Sequence, residues 1–237
     1  MDTRRHDLDR FYRLLDDLEH AVGGRRRLGS ATGRDGWPTR GVYFIFEPDE
    51  HRESGGDRVI RVGTHALKTG SRSTLWGRLR QHRGTSGGGG NHRGSAFRLH
   101  VGQALAAHPD DAHVTPPTTW ASGSSAARPI REREAPWEAR VSEVIGAMSV
   151  LWIAVPDDPG PDSLRGYIER NCIALLSNHN REPIDPPSPG WLGHHARAPQ
   201  IHSSGLWNVN HITEHHDQRV LDELANAIAA TVDTPAI

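Results

Sequence analysis

The chain has 237 residues, a formal net charge of −1, only 35% hydrophobic residues and a mean hydropathy of −0.63, which together predict one large domain or a small core with long polar excursions. One cysteine, Cys172, excludes a disulfide framework and a cysteine-built zinc site, and no apolar run is long enough to span a membrane. The start "MDTRRHDLDRFYRLL" lacks the apolar stretch of a signal peptide, so a cytoplasmic protein is expected.

Residues 7–22, "DLDRFYRLLDDLEHAV", set Leu8, Phe11, Leu15, Leu18 and Val22 on one helical face, and Gly23 and Gly24 stop the helix. This helix is expected to pack on a core or to form an oligomer contact. A basic, glycine-bearing linker leads to two strands, 42–46 and 59–62, bounded by Gly41, Pro48 and Gly63 and joined by a long loop containing "ESGGD". Ser73 and Thr74 are N-cap candidates for a short helix, "LWGRLRQHR", in which Arg78 and His82 share one face and Leu75 and Leu79 another. The glycine run "GTSGGGGNHRG" at 84–94 is not followed by Gly-Lys-Ser/Thr and is therefore no P-loop.

Beyond it the sequence predicts a helix near 96–107, an extended excursion over 108–136 and a helix over 136–147. The most apolar strand, "SVLWIAV", follows and is expected at the sheet centre. The helix "LRGYIERNCIALLSN" buries Leu164, Ile168, Cys172, Leu175 and Leu176 and leaves Glu169 at the rim of its apolar face. After an irregular stretch, a last amphipathic helix is expected over 217–231.

The small net charge hides a local field. From residue 58 to 109 there is no Asp or Glu, while Arg58, Arg61, Lys68, Arg72, Arg78, Arg80, Arg83, Arg93 and Arg98 are basic. Such a window attracts phosphates even when acidic segments elsewhere cancel the total. It equally suits a solvated arginine-rich face.

Four pieces, in order, carry a resemblance: "GVY" at 41–43, "RVG" at 61–63, "LWGRLRQH" at 75–82 and "YIERNCIALLSN" at 167–178. Together they resemble the GIY-YIG nuclease family. The resemblance implies an α/β (α+β) fold, with a small three-stranded, mostly antiparallel sheet flanked by helices. The expected organisation is an N-terminal helix and basic linker over 1–38, a catalytic domain over 39–182 with an insertion at about 84–136, and a C-terminal extension over 183–237. It also implies a metal-dependent endonuclease hydrolysing phosphodiester bonds in DNA, with Mg²⁺ as cofactor and Mn²⁺ able to substitute. RNA stays open as a substrate, as do a homo-oligomer and a regulatory protein partner. Restriction, phage defence or a mobile element would be fitting settings. The alternative is a nucleic-acid-binding module of the same fold that does not cut.

Residue chemistry gives each position a role. One carboxylate, Glu169, suits Mg²⁺, which keeps most of its waters; on an arbitrary helix the same glutamate would more often be solvated or salt-bridged. Arg78 offers a planar donor fork that fits a phosphate. Tyr43 matches the first-motif tyrosine, which in the family orients or deprotonates the attacking water. A free tyrosine, with a pKa of about 10, is a poor base, and His82 is a natural proton acceptor beside it. Tyr43 and His82 are therefore expected to act as a coupled pair.

The family's late asparagine is met by Asn178 or Asn180, with Asn178 preferred because it ends the helix. Arg61 departs from the usual tyrosine of the second motif; it cannot act as a base but can neutralise phosphate charge. Lys68, Arg72, Arg80, Arg83, His92 and Arg93 are expected nucleic-acid contacts. Trp207, in "SSGLWNVNH", would either stack on a base or close the C-terminal segment onto the core. His194, His195, His202, His211, His215 and His216 have irregular spacing and no cysteine pair, which does not support a zinc site.

Overall fold

In the computed structural model, which describes residues 3–109 and 115–232, helix α1 (Thr3–Ala21) precedes a short strand, β1 (Arg26–Arg27), and the hairpin of β2 (Gly41–His51) and β3 (Asp57–Gly63). Then come α2 (Leu75–Arg83), α3 (Ala96–Ala107), α4 (Arg128–Ala147), β4 (Ser149–Ala154) and α5 (Leu164–Leu176). An irregular stretch leads to the short α6 (Pro199–Ser204) and to α7 (Val220–Val232). The sheet order is β1-β4-β2-β3, and every pairing is antiparallel.

β2 and β4 have neighbours on both edges and are apolar on both faces because helices cover both. Val42, Phe44 and Phe46 share one face with Leu151 and Ile153, and onto it pack α1, α5 and α7 through Leu8, Phe11, Ile168, Cys172, Val220 and Leu224. Tyr43 and Ile45 share the other with Val150 and Trp152, and onto it pack α2, α3 and α4 through Leu79, Phe97, Val101, Trp137 and Val141. Each such side chain contributes ~1.5–3 kcal/mol on burial. α1 is thus a packing element. The two terminal segments that the sequence sets apart as extensions share one hydrophobic cluster with the sheet.

The sheet has a fourth strand beyond the three expected: Arg26 and Arg27 pair with Val150 and Ser149. A strand this short has no alternation to announce it. The helix expected from residue 136 starts instead at Arg128 and carries Pro136 inside it. Pro129 supplies the N-terminal proline, and Arg128 and Glu132 pair across one turn at 2.7 Å. The expected excursion is shorter by that much, and its residues 110–114 lie outside the described residues.

The β2–β3 pairing is interrupted where the site begins. Tyr43 faces Gly63, Phe44 faces Val62 and Ile45 faces Arg61, but Phe46 faces Val59. Ile60 is the extra residue of a β-bulge, and a bulge sets two consecutive side chains on the same face. Ile60 enters the core under α3, and Arg61 follows it there, with its guanidinium carbon 5.0 Å from the centre of the Phe97 ring. The outer edge of β3 is covered by the segment after α6. Trp207 N–H donates to Ile60 O at 2.8 Å, while the Asn208 amide accepts from Val62 N–H at 3.1 Å and donates to Val62 O at 2.8 Å.

Candidate active site

Where β3 ends, its continuation meets α5. Thr64 N–H donates to Glu169 Oε1 at 3.1 Å, and the Thr64 hydroxyl donates to Gly41 O at 2.8 Å. A cleft of about 270 Å³ opens here, lined by Arg61 and Thr64, Arg78 of α2, His100 of α3, Glu169 of α5 and residues 207–211. The arginines come from the face that carries α2 and α3, and the carboxylate from a helix on the opposite face. The cleft therefore lies where the two helical layers meet at the end of the edge strand.

Glu169 is half-buried and is the one carboxylate among the lining residues. Burial raises its carboxyl above the ordinary range, opposed by Arg61, the Thr64 N–H, His211 and Arg78. Its Oε2 makes no hydrogen bond among the described residues, so one oxygen is left for a ligand. That chemistry fits a hard divalent cation, which binds through one or two carboxylates and keeps its waters.

Arg61 is buried, and its Nη1 donates to Trp207 O at 2.8 Å. Its Nε is buried without a partner, and its guanidinium makes no ion pair among the described residues. A buried cation without an anion is costly, and an anion entering the cleft would relieve that cost. Arg78 is half-buried, with Nη1 reaching Gln81 Oε1 at 3.0 Å and Gly94 O at 3.4 Å.

Tyr43 and His82 stand off the cleft. Tyr43 Oη lies 2.7 Å from His82 Nε2, and His82 Nδ1 lies 2.8 Å from Ser95 Oγ. All three residues are buried, and none lines the cleft. The helical turn of α2 sets His82 one turn after Arg78, while Ser95 caps α3 by accepting the Arg98 N–H at 3.2 Å. Burial, with Arg61, Arg78 and Arg98 nearby, holds His82 well below the ordinary histidine range, so its ring is neutral near neutral pH. The tyrosine that the sequence sets beside the attacking water is thus a buried residue, bonded to the histidine.

Comparison with known families decides the lineage. The family model of the GIY-YIG domain matches residues 2–234. The chain belongs to the GIY-YIG family. This is a family of nucleases, acting on nucleic acid and in general dependent on a divalent metal. The match takes in α1 and α7 together with the sheet. No curated protein and no solved structure matches the chain. Among the described residues, no helix is long and apolar enough to cross a membrane.

Against this GIY-YIG frame, the expected asparagine falls elsewhere. Asn178 Oδ1 accepts from Arg4 Nη2 at 2.9 Å and from Ile184 N–H at 3.0 Å, so it ties α1 to the end of α5 and does not enter the cleft. Asn180 is exposed and also outside it. The asparagines that line the cleft are Asn208 and Asn210.

Of the expected nucleic-acid contacts, Lys68, Arg72 and Arg80 are exposed. The others are engaged within the protein. Arg83 donates to Ala31 O and lies 5.7 Å from the Trp76 ring centre. His92 is buried, with Nδ1 2.9 Å from Glu138 Oε1, and Arg93 pairs with Glu134 at 2.6 Å. Trp207 is fully buried against Trp191 and Phe97, and its indole donates to Glu47 Oε2 at 3.2 Å, so it has no face free for a base. Among the described residues no group of three or more His, Cys, Asp or Glu side chains is placed to hold a metal ion. Thr64 and Ser95 carry no motif; the one signal that the sequence offers is the serine before an apolar run, an N-cap.

Proposed function

We propose that this GIY-YIG protein is an endonuclease that hydrolyses phosphodiester bonds in DNA with Mg²⁺ or Mn²⁺, acting in the cytoplasm in restriction, phage defence or a mobile element. One observation carries the proposal: a single cleft sets Arg61, a buried guanidinium with no ion pair among the described residues, in company with Glu169, a lone carboxylate with an unengaged oxygen. A phosphodiester supplies the missing anion. Glu169 would hold the metal, which would supply Lewis-acid stabilisation of the charge on the phosphoryl oxygens.

The protein's own groups do the rest. Thr64 N–H fixes the Glu169 carboxylate, and Arg61 and Arg78 hold the phosphate and offset its developing charge. Tyr43 Oη and His82 Nε2, 2.7 Å apart, take the proton of the attacking water as a coupled pair. This role requires the cleft wall to open toward Tyr43 when substrate binds. Lys68, Arg72 and Arg80 supply a cationic track for the backbone.

A module that binds without cutting is the second reading, favoured by the burial of Tyr43 and His82. The purified full chain, incubated with plasmid, single-stranded DNA and RNA in Mg²⁺ or Mn²⁺, separates the two. Metal-dependent DNA fragments with defined ends support the enzyme. Binding with no cutting of any substrate overturns it in favour of the module.

A further inference from the structure

His211 stands in the same cleft as Glu169 with a ring nitrogen to spare. Its backbone is left-handed, at φ +63, a conformation uncommon for a residue with a β-carbon and held only when its surroundings impose it. Glu214 is part of what imposes it. His211 Nδ1 lies 2.8 Å from Glu214 Oε1, Arg170 donates to the other Glu214 oxygen, and Arg181 donates to the Glu214 carbonyl. A carboxylate on Nδ1 keeps the ring proton there and leaves Nε2 with its lone pair. Nε2 has no hydrogen-bond partner among the described residues. Carboxylate, imidazole and cation in a row is the usual way a protein aims a histidine at a metal.

We propose that His211 Nε2 is a second protein ligand, beside Glu169, for the divalent metal of this cleft, and that it tilts the site from Mg²⁺ toward Mn²⁺. A site built of oxygens alone suits Mg²⁺, whereas an imidazole nitrogen favours transition metals. With only two protein ligands, the remaining positions belong to water and to substrate phosphate. This ligand role rests on the metal-dependent cleavage proposed above.

The test needs no turnover. Mn²⁺ is titrated into the full chain without nucleic acid; free Mn²⁺ is read by electron paramagnetic resonance, and nitrogen coupling to bound Mn²⁺ by spin-echo modulation. Wild type is expected to show coupling to an imidazole nitrogen. His211→Asn, chosen because asparagine accepts the left-handed backbone, is expected to lose the coupling and to bind Mn²⁺ roughly tenfold more weakly, with Mg²⁺ competition little changed. Glu214→Gln, which leaves His211 in place, is expected to weaken Mn²⁺ in the same direction. Wild-type coupling and affinity in His211→Asn overturn the inference and leave Glu169 standing as sole ligand. Wild-type affinity in Glu169→Ala overturns the metal reading itself.

Discussion

Tyr43 and Gly63 face each other across β2 and β3, and the phenol lies against the glycine: a β-carbon on residue 63 would sit 2.1 Å from the Tyr43 hydroxyl oxygen. Gly41 answers the same need on the other side, since a β-carbon there would lie 2.1 Å from Ile153 O. The two glycines of the motif frame serve close approach of backbone and ring. Gly63→Ala is expected to push the phenol off His82 and to destabilise the fold by ~1–3 kcal/mol. Thermal unfolding reads the loss, and an unchanged melting temperature would remove the steric link.

The Tyr43–His82 hydrogen bond at 2.7 Å predicts that the two act as a unit. Tyr43→Phe and His82→Gln are each expected to slow cleavage by ~100-fold or more. The double variant is expected to be no slower than the worse single one, as for groups sharing one proton path. Losses that multiply in the double variant would separate the two roles.

Arg61 sets function against stability. Arg61→Met removes a buried cation that makes no ion pair among the described residues, and is expected to raise stability by ~1–3 kcal/mol while abolishing cleavage. Arg61→Lys keeps the charge but not the fork, with an expected fall of ~10–100-fold in kcat/KM. Denaturant unfolding and single-turnover kinetics read the pair. A less stable Arg61→Met would mean that the bond to Trp207 O outweighs the buried charge.

Glu47 gives a pH-dependent stability. Trp191 and Trp207 both donate to its Oε2, at 3.0 and 3.2 Å, and burial raises its carboxyl from 4.5 to about 7. The folded form binds this proton more tightly than the unfolded chain does. Its stabilisation is therefore complete below the unfolded pKa and is lost as pH rises through about 7. Glu47→Gln is expected to match wild type near about pH 4 and to exceed it by ~1–3 kcal/mol near about pH 8. Equal stability at both pH values would contradict this.

Much of the fold is legible in the sequence because burial leaves a period. Leu8, Phe11, Leu15 and Leu18 mark α1, and the run at β4 marks a strand covered on both faces. The spacing of Arg78 and His82 and the rim position of Glu169 are legible for the same reason. That Ile60 shares the face of Arg61 is not, because one extra residue shifts the register between Ile45 and Phe46 and leaves no trace in composition. Nor does a count of arginines distinguish a free one from a paired one. Arg93 meets Glu134, His92 meets Glu138 and Trp207 meets Glu47, partners that stand 41, 46 and 160 positions apart in the chain. Such pairs arise only from the tertiary packing of α4 and the C-terminal segment.

The proposed DNA cleavage depends on a metal held by Glu169. Single-turnover cleavage by wild type and Glu169→Gln, across a range of Mg²⁺ and Mn²⁺ concentrations, tests it most directly, because glutamine retains an acceptor for the Thr64 N–H. Wild type is expected to cleave only with metal present, and the folded variant to be slower by ~1,000-fold or more at every concentration. Cleavage by Glu169→Gln at the wild-type rate would contradict it.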